Sequence, residues 1–470
     1  MGPWACCQTE RTMSKFKKCK SMKNSYSFLV LPLFYLLLSC NSLEKQNNQT
    51  SPNIILIMAD DLGYETITAN GGNSYSTPAI DKMAASGMRF EHCYAQPLCT
   101  PSRVKIMTGI YNVRNYQKFG FLDDKQTTFG HLFRDAGYAT CIVGKWQLGK
   151  DSLSPHNAGF DEHCLWQLTK GRTDGTARDT RFSQPVLEVN GTLNIYNQNE
   201  FGPKVVSDYA LDFIRRQSLN KKPFFLYYPM LLTHCPFSPT PDSPEWQIDT
   251  QAVMTYKGQA KYFKDMMAYT DKIVGSINDQ LQSLGIAEHT LVIFTADNGT
   301  DKPIVSQMNK REVVGAKGKS TDAGTRVPLI VKWDQNIQAE QVSNSLIDLS
   351  DILPTICAAA NIEVPEVLDI DGWSFLPELL GREGEKRKWV YNWYSRSGEE
   401  DKAVVFARNH DYKLYQSGAF HYLPNDWLEE HPLNLDQLNK EEQLTYEMLD
   451  KVLKQYQKRR LENLEDISFE

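Results

Sequence analysis

Short apolar runs alternate with helix-like segments along most of the chain. The run Asn53–Ala59 is nearly continuous, as expected for a strand buried on both faces of a parallel sheet. Similar runs recur at Thr140–Val143, Pro223–Leu232, Thr290–Thr295 and Val327–Val331. Between them lie helical patterns such as Ile80–Ser86 and Tyr262–Leu284. This alternation predicts an α/β fold. Beyond Asp371-Gly372 the pattern changes to short aromatic stretches, Lys388–Tyr394 and Ala403–Arg408, followed by a charged helical segment, Asp436–Lys458. The expected domains are therefore 53–370 for the main unit and 371–470 for a smaller one with antiparallel strands and a terminal helix.

The polar residues that end the apolar runs carry the first functional signal. They are Asp60-Asp61, Gly144-Lys145, Thr233-His234 and Asp297-Asn298-Gly299. Ligands bind at the carboxyl ends of strands in open parallel sheets, so these four clusters are expected to converge. Any one of them alone reads as a loop start. Asp60, Asp61, Asp297 and Asn298 supply hard oxygen ligands without a Cys/His set, which suits calcium or magnesium rather than zinc.

Composition and charge narrow the class. The 470 residues carry a net charge of −6 with 41% hydrophobic residues, ordinary for a folded chain and without a basic surface for nucleic acid. An acidic protein that handles an anion must supply positive charge locally, which gives weight to any Lys or Arg placed beside the site. At the N-terminus, Lys15, Lys17, Lys18, Lys20 and Lys23 precede an apolar stretch, Phe28–Leu38, and then Ser39-Cys40. The stretch is too short to span a bilayer and resembles a lipoprotein signal, 1–39, cleaved so that Cys40 is lipidated, with 40–52 as a linker. An ordinary secretory signal is the alternative, and both export the chain. The remaining cysteines show no CxxC spacing and suggest neither a zinc site nor a disulfide framework.

Leu98-Cys99-Thr100-Pro101-Ser102-Arg103 places a cysteine where a helix would begin, with Pro101 in its first turn. Free amides and the positive dipole end at such a terminus are a natural seat for an anionic ester. Together, Ile57-Met-Ala-Asp-Asp-Leu-Gly63, Cys99-Thr-Pro-Ser-Arg103, Gly144-Lys-Trp-Gln-Leu-Gly149, Thr295-Ala-Asp-Asn-Gly299 and Gly324-Thr-Arg-Val-Pro328 resemble the formylglycine-dependent sulfatases. The resemblance extends through Asp351-Ile-Leu-Pro-Thr355 and Asp371-Gly-Trp-Ser-Phe-Leu-Pro377 and covers roughly residues 52–380.

That resemblance implies an alkaline-phosphatase-like, mostly parallel sheet sandwiched by helices, with a smaller C-terminal α+β domain. It also implies oxidation of Cys99 to formylglycine by a separate maturase. One calcium ion would be held by Asp60, Asp61, Asp297, Asn298 and the residue made from Cys99. Hydrated formylglycine would attack sulfur after losing a proton to Asp297, while Arg103, Lys145 and Lys317 neutralise the sulfate oxygens. His234 matches the histidine that protonates the leaving alcohol. Lys317, rather than Lys319, keeps the family spacing to Arg326.

Three positions depart from the pattern. Gln147 stands where the family usually has a histidine that helps the second hydroxyl expel sulfate, and a glutamine cannot act as a base near neutral pH. Gln147 and a nearby His156 are the expected substrate-side groups. Ile110 replaces an arginine downstream of the signature, and Asp322 replaces a glutamate. The expected activity is that of a sulfuric ester hydrolase at the cell envelope, in the outer membrane, acting on sulfated, algal-type polysaccharides or oligosaccharides. Its alternatives are a phosphate or phosphonate ester hydrolase on the same fold and a noncatalytic glycan-binding lipoprotein.

Overall fold

The computed structural model describes residues 51–149, 151–166, 179–246 and 255–460, so the signal segment and Cys40 lie outside the described residues. The apolar run at the start of the main unit forms β1 (Asn53–Ala59), and Ile54 to Ala59 are fully buried. Eleven further strands follow through residue 348: β2 (Met88–Tyr94), β3 (Ala139–Lys145), β4 (Glu162–Trp166), β5 (Val186–Val189), β6 (Thr192–Ile195), β7 (Phe224–Pro229), β8 (Thr290–Ala296), β9 (Val305–Met308), β10 (Arg311–Val314), β11 (Arg326–Lys332) and β12 (Gln341–Asp348). All but the β9–β10 hairpin join one ten-stranded sheet in the order β12-β2-β11-β8-β1-β7-β3-β4-β5-β6.

Its centre, β8-β1-β7-β3-β4, is parallel, whereas β11 runs antiparallel to both β8 and β2. The mostly parallel arrangement expected from the apolar runs therefore holds for the centre, and antiparallel strands flank it. Burial on both faces explains the unbroken apolar runs. Consecutive phenylalanines of β7 show it: Phe224 meets Phe213 of the helix Gly202–Asn220, while Phe225 packs against Phe129 and Phe133 of the helix Phe129–Asp135. Neighbouring strand residues point to opposite faces, so these two helices cover opposite sides. The helix Phe263–Ser283 joins the first side, and Cys99–Thr108 and Ile352–Ala359 join the second.

The C-terminal region forms a four-stranded antiparallel sheet, β13 (Val390–Tyr394), β14 (Val404–Arg408), β15 (Tyr412–Tyr415) and β16 (Phe420–Tyr422), and a helix, Lys440–Tyr456. Asn439 caps that helix by accepting from the amides of Glu441 and Glu442, and Glu442 accepts from the Asn439 amide in return. At the other end, Tyr456 stacks on Tyr391 and its hydroxyl donates to Asp371. The cysteines among the described residues are buried free thiols. No helix among the described residues is long and apolar enough to cross a membrane.

Arg387 fastens the C-terminal region to the main sheet. It is buried, donates to Asp351 from Nε and Nη2, to the Tyr111 hydroxyl at 2.7 Å and to the Asp371 carbonyl at 2.7 Å. Removing one member of a buried, hydrogen-bonded pair leaves the other charge uncompensated. Arg387→Ala is therefore expected to lower stability by about 3–5 kcal/mol, measured as a shift of the urea unfolding midpoint.

Candidate active site

Strand register brings the acidic residues together. β1 and β8 pair from Asn53 with Thr290 to Ala59 with Ala296, so Asp60 and Asp297 emerge side by side. The Asp297 amide donates to the Ala59 carbonyl at 3.1 Å. On the other flank the Asp60 amide donates to Leu232 and the Thr233 amide to Asp60, which carries His234 into the same space. Asp61 adopts a left-handed conformation, φ 60°, and its amide donates to Asp297 Oδ1 at 3.1 Å. Aspartate tolerates this region better than most residues. Asp60, Asp61, Asp297 and Asn298 are all fully buried.

Cys99 opens the helix Cys99–Thr108, and no side chain caps its start. First-turn amides are thus left to meet an anion beside the cysteine. One turn later, Arg103 donates from Nε and Nη2 to Asp297 Oδ2 at 3.1 and 2.7 Å, and from Nη1 to the Lys145 carbonyl at 3.1 Å. Lys145, the last residue of β3, donates to both oxygens of Asp60 at 3.0 and 2.8 Å. The preceding Gly144 has φ 117°, and a Cβ there would fall 2.0 Å from the Pro229 carbonyl oxygen. Only glycine lets β3 turn Lys145 inward at this point.

Lys317 bridges two of the clusters. Its ammonium lies 2.6 Å from Asp61 Oδ2 and 3.0 Å from His234 Nε2, and His234 Nδ1 lies against the Cys235 carbonyl. A proton on Nδ1 donated to that carbonyl leaves Nε2 as the acceptor for the ammonium, so the imidazole is neutral. Burial first, and then the Lys317 charge, hold His234 well below its ordinary range. Gln147, with φ 52°, accepts from Cys99 Sγ at 3.3 Å.

The electrostatics of the site set burial against ion pairing. Burial pushes Asp60 up, but Lys145 and Arg103 outweigh it and hold the carboxyl below its ordinary value. Asp61 is raised by burial despite Lys317. Burial and the Asp60 charge push Asp297 up to about 7 even beside Arg103. Ligand atoms of Asp60, Cys99 and Asp297 lie within 4.8 Å of one another, as do those of Asp60, Asp61 and His234. Asn298 donates its amide to Asp61 Oδ1 at 2.9 Å, while its buried Oδ1 has no donor. Clustered buried carboxylates, two of them raised by burial, and an orphan amide oxygen fit a hard divalent cation.

Cys99, Gln147, His234 and Lys317 face a cavity of about 180 Å³ whose other walls include Phe119, Trp166, Arg181, Tyr256 and Arg396. The structure thus gathers ten of the sequence-derived positions: Asp60, Asp61, Cys99, Arg103, Lys145, Gln147, His234, Asp297, Asn298 and Lys317. His156 is a correction. It is exposed in the short helix Ser154–Asn157, its carbonyl accepts from Arg134, and it does not line the cavity. Lys319 is exposed, which leaves Lys317 as the site lysine. Asp322 pairs with Arg408 instead of facing the site. The outer wall escaped sequence reading because its residues come from separated segments, the end of β4 and several loops, that share no motif.

Two family models match the chain: "Sulfatase" over residues 52–362 and "N-sulphoglucosamine sulphohydrolase, C-terminal" over residues 318–465. The chain is 32% identical over 388 residues to N-acetylgalactosamine-6-sulfatase of Canis lupus familiaris, covering 76% of this chain and 71% of that one. It is 30% identical over 404 residues to arylsulfatase A of Homo sapiens, covering 79% and 76%. Among solved structures it is similar to Ps i-CgsB in complex with k-i-k-neocarrahexaose, with TM-score 0.71, 24% identity and coverage of 87% and 94%. It is also similar to BT4656 in complex with its substrate D-glucosamine-2-N,6-O-disulfate, with TM-score 0.68, 21% identity and coverage of 87% and 98%. Both share its fold.

Calorimetric titration with calcium is expected to show about one site per chain, in keeping with a single hard-oxygen ligand set. Asp297→Asn is expected to weaken binding at least about tenfold, since it removes one charged ligand. Unchanged affinity in that variant would exclude Asp297 as a ligand.

Proposed function

The chain belongs to the sulfatase family and is a sulfuric ester hydrolase, and from that premise we propose that it desulfates sugars with a formylglycine made from Cys99 beside one calcium ion. The observation that carries this reading is the placement of Cys99 at an uncapped helix start, among the ligand atoms of Asp60 and Asp297 and facing a cavity with Lys317 and His234. Asp60, Asp61, Asp297 and Asn298 would hold the ion. When present, calcium supplies a Lewis acid and formylglycine, once hydrated, supplies the attacking hydroxyl.

The protein's own groups divide the remaining work. Arg103 holds Asp297 through two donors and so orients a carboxylate that can take a proton beside position 99. Lys145 and Lys317 stand as fixed positive charges next to the sulfate seat, where negative charge develops during attack. His234 is neutral in the free site because of burial and Lys317. An anionic sulfate bound nearby offsets the Lys317 charge and favours the imidazolium, so binding substrate assembles the acid that the leaving alcohol needs.

Gln147 supports the same geometry but not the same chemistry as a histidine. Its Oε1 can orient a hydroxyl at position 99 yet cannot keep a proton taken from it. Sulfate release then depends on another acceptor. Sulfated glycans are the substrate class favoured by the complexes of the structural relatives with neocarrahexaose and a glucosamine disulfate. The basic and apolar N-terminal segment ending at Cys40 supports export as a lipoprotein, probed by lipid labelling of the Cys40→Ala variant.

Protein made with a maturase present is expected to yield a Cys99 peptide carrying an aldehyde, detected by mass spectrometry after hydrazide capture, and to cleave an aryl sulfate faster than the matching aryl phosphate. Faster phosphate turnover would favour phosphoryl chemistry, and unmodified Cys99 without turnover would favour a binding protein. Gln147→His is expected to raise kcat on an aryl sulfate by about tenfold or more if elimination is slow, because a general base contributes on that scale. An unchanged kcat would show that release is not limited at this position.

A further inference from the structure

The outer wall of the cavity contains two cations that the chemistry above does not use, Arg181 and Arg396, and of these Arg396 is exposed while Arg181 is buried. Arg181 is 3% exposed and lines the same cavity as Cys99, His234 and Lys317. It reaches that wall from the connection between β4 and β5. Its amide and Nε both donate to Asp179 Oδ1, at 3.0 and 3.1 Å. The guanidinium carbon sits 4.1 Å from the centre of the Trp166 ring. Trp166 is fixed in turn by its indole N–H, which donates to the Thr180 hydroxyl at 3.1 Å.

One end of the guanidinium is therefore clamped, while Nη1 is buried with no acceptor among the described residues. A buried donor without a partner is costly and rare. Stacking on an aromatic face together with a carboxylate at Nε pre-orients the remaining N–H groups, which is the arrangement that suits a planar or tetrahedral anion. The Arg181 charge is felt at Asp60 and at His234, which puts it within electrostatic range of the sulfate seat. Arg103, Lys145 and Lys317 are each paired with a carboxylate of the acidic cluster, whereas Arg181 has its own counter-ion, Asp179, and keeps Nη1 unpaired at the cavity wall.

We propose that Arg181 is a specificity-determining residue that binds a second anionic group of the substrate, a carboxylate or another sulfate on the sugar that bears the scissile ester. The inference rests on the sulfated-sugar reading and adds that the preferred sugar carries two anionic groups. The Asp179 carboxylate balances the charge of Arg181 in the free protein, so recognition operates through a directed hydrogen bond rather than bulk attraction. Neutral monosulfated sugars and aryl sulfates bind without using it.

The test compares wild type with Arg181→Gln and Arg181→Lys on four substrates: an aryl sulfate, a neutral monosulfated sugar, a monosulfated uronic acid and a disulfated sugar. The expected result is a fall in kcat/KM of about tenfold to a hundredfold in Arg181→Gln on at least one of the two doubly anionic substrates, carried mainly by KM. Aryl sulfate and neutral sugar should stay within about threefold, which also shows that the variant is folded; the loss scale is that of one charged hydrogen bond. A loss confined to the uronic acid identifies a carboxylate, and one confined to the disulfated sugar identifies a sulfate. Equal losses on all four substrates, or none on any, would overturn the proposal. If wild type cleaves no sulfate ester, the underlying reading fails instead. Calorimetric binding of the same sugars to Cys99→Ser chains, with and without Arg181→Gln, then decides the role of Arg181: equal affinities for neutral and doubly anionic sugars would reject it.

Discussion

Three carboxylates buried at the end of an apolar sheet have to be neutralised, and the geometry of the site follows from how that is done. Asp60 and Asp297 emerge from adjacent parallel strands, and Asp61 is held between them through its amide. Parallel register fixes their spacing before any side chain is considered. A cluster of this kind would not survive in a dry interior without compensation. Lys145, Arg103 and Lys317 provide part of it, each from a different element. Burial nevertheless raises Asp61 and Asp297, and a divalent cation among these oxygens would favour their charged forms.

The same compensation prepares the chemistry. Arg103 ties the signature helix to Asp297 and, through the Lys145 carbonyl, to the end of β3, so Cys99 cannot drift from the acidic cluster. Lys317 joins Asp61 to His234 and, with burial, keeps the imidazole neutral. Outside this ring, Trp166, Arg181 and Arg396 belong to the outer wall of the cavity.

Legibility in the sequence tracked burial. The central strands were visible because both faces are covered, which forces unbroken apolar runs, and the strand-end clusters followed from them. β2, β4–β6 and β12 were not anticipated, since they mix polar and apolar residues or lie toward the sheet edges. β2 carries Arg89, Glu91 and His92 within its seven residues. The helix Phe263–Ser283 falls one residue inside its expected limits at each end, and Lys440–Tyr456 is shorter than the charged stretch that signalled it because Asn439 sets its start. His156 shows the limit of reading proximity along the chain: it follows the Gly144–Gly149 motif closely, yet a turn carries it to the surface.

By itself the sequence determined the α/β alternation, the ligand chemistry at the strand ends and the placement of Cys99 at a helix start. These are local properties, set by periodicity, residue type and turn preference within a few positions. Only the tertiary structure decided that Gln147 touches Cys99 while His156 stays outside the cavity, and that Arg181 is clamped on Trp166 with one end free. Those outcomes depend on contacts between segments far apart in the chain, where packing and charge balance select one arrangement and no local pattern records the choice.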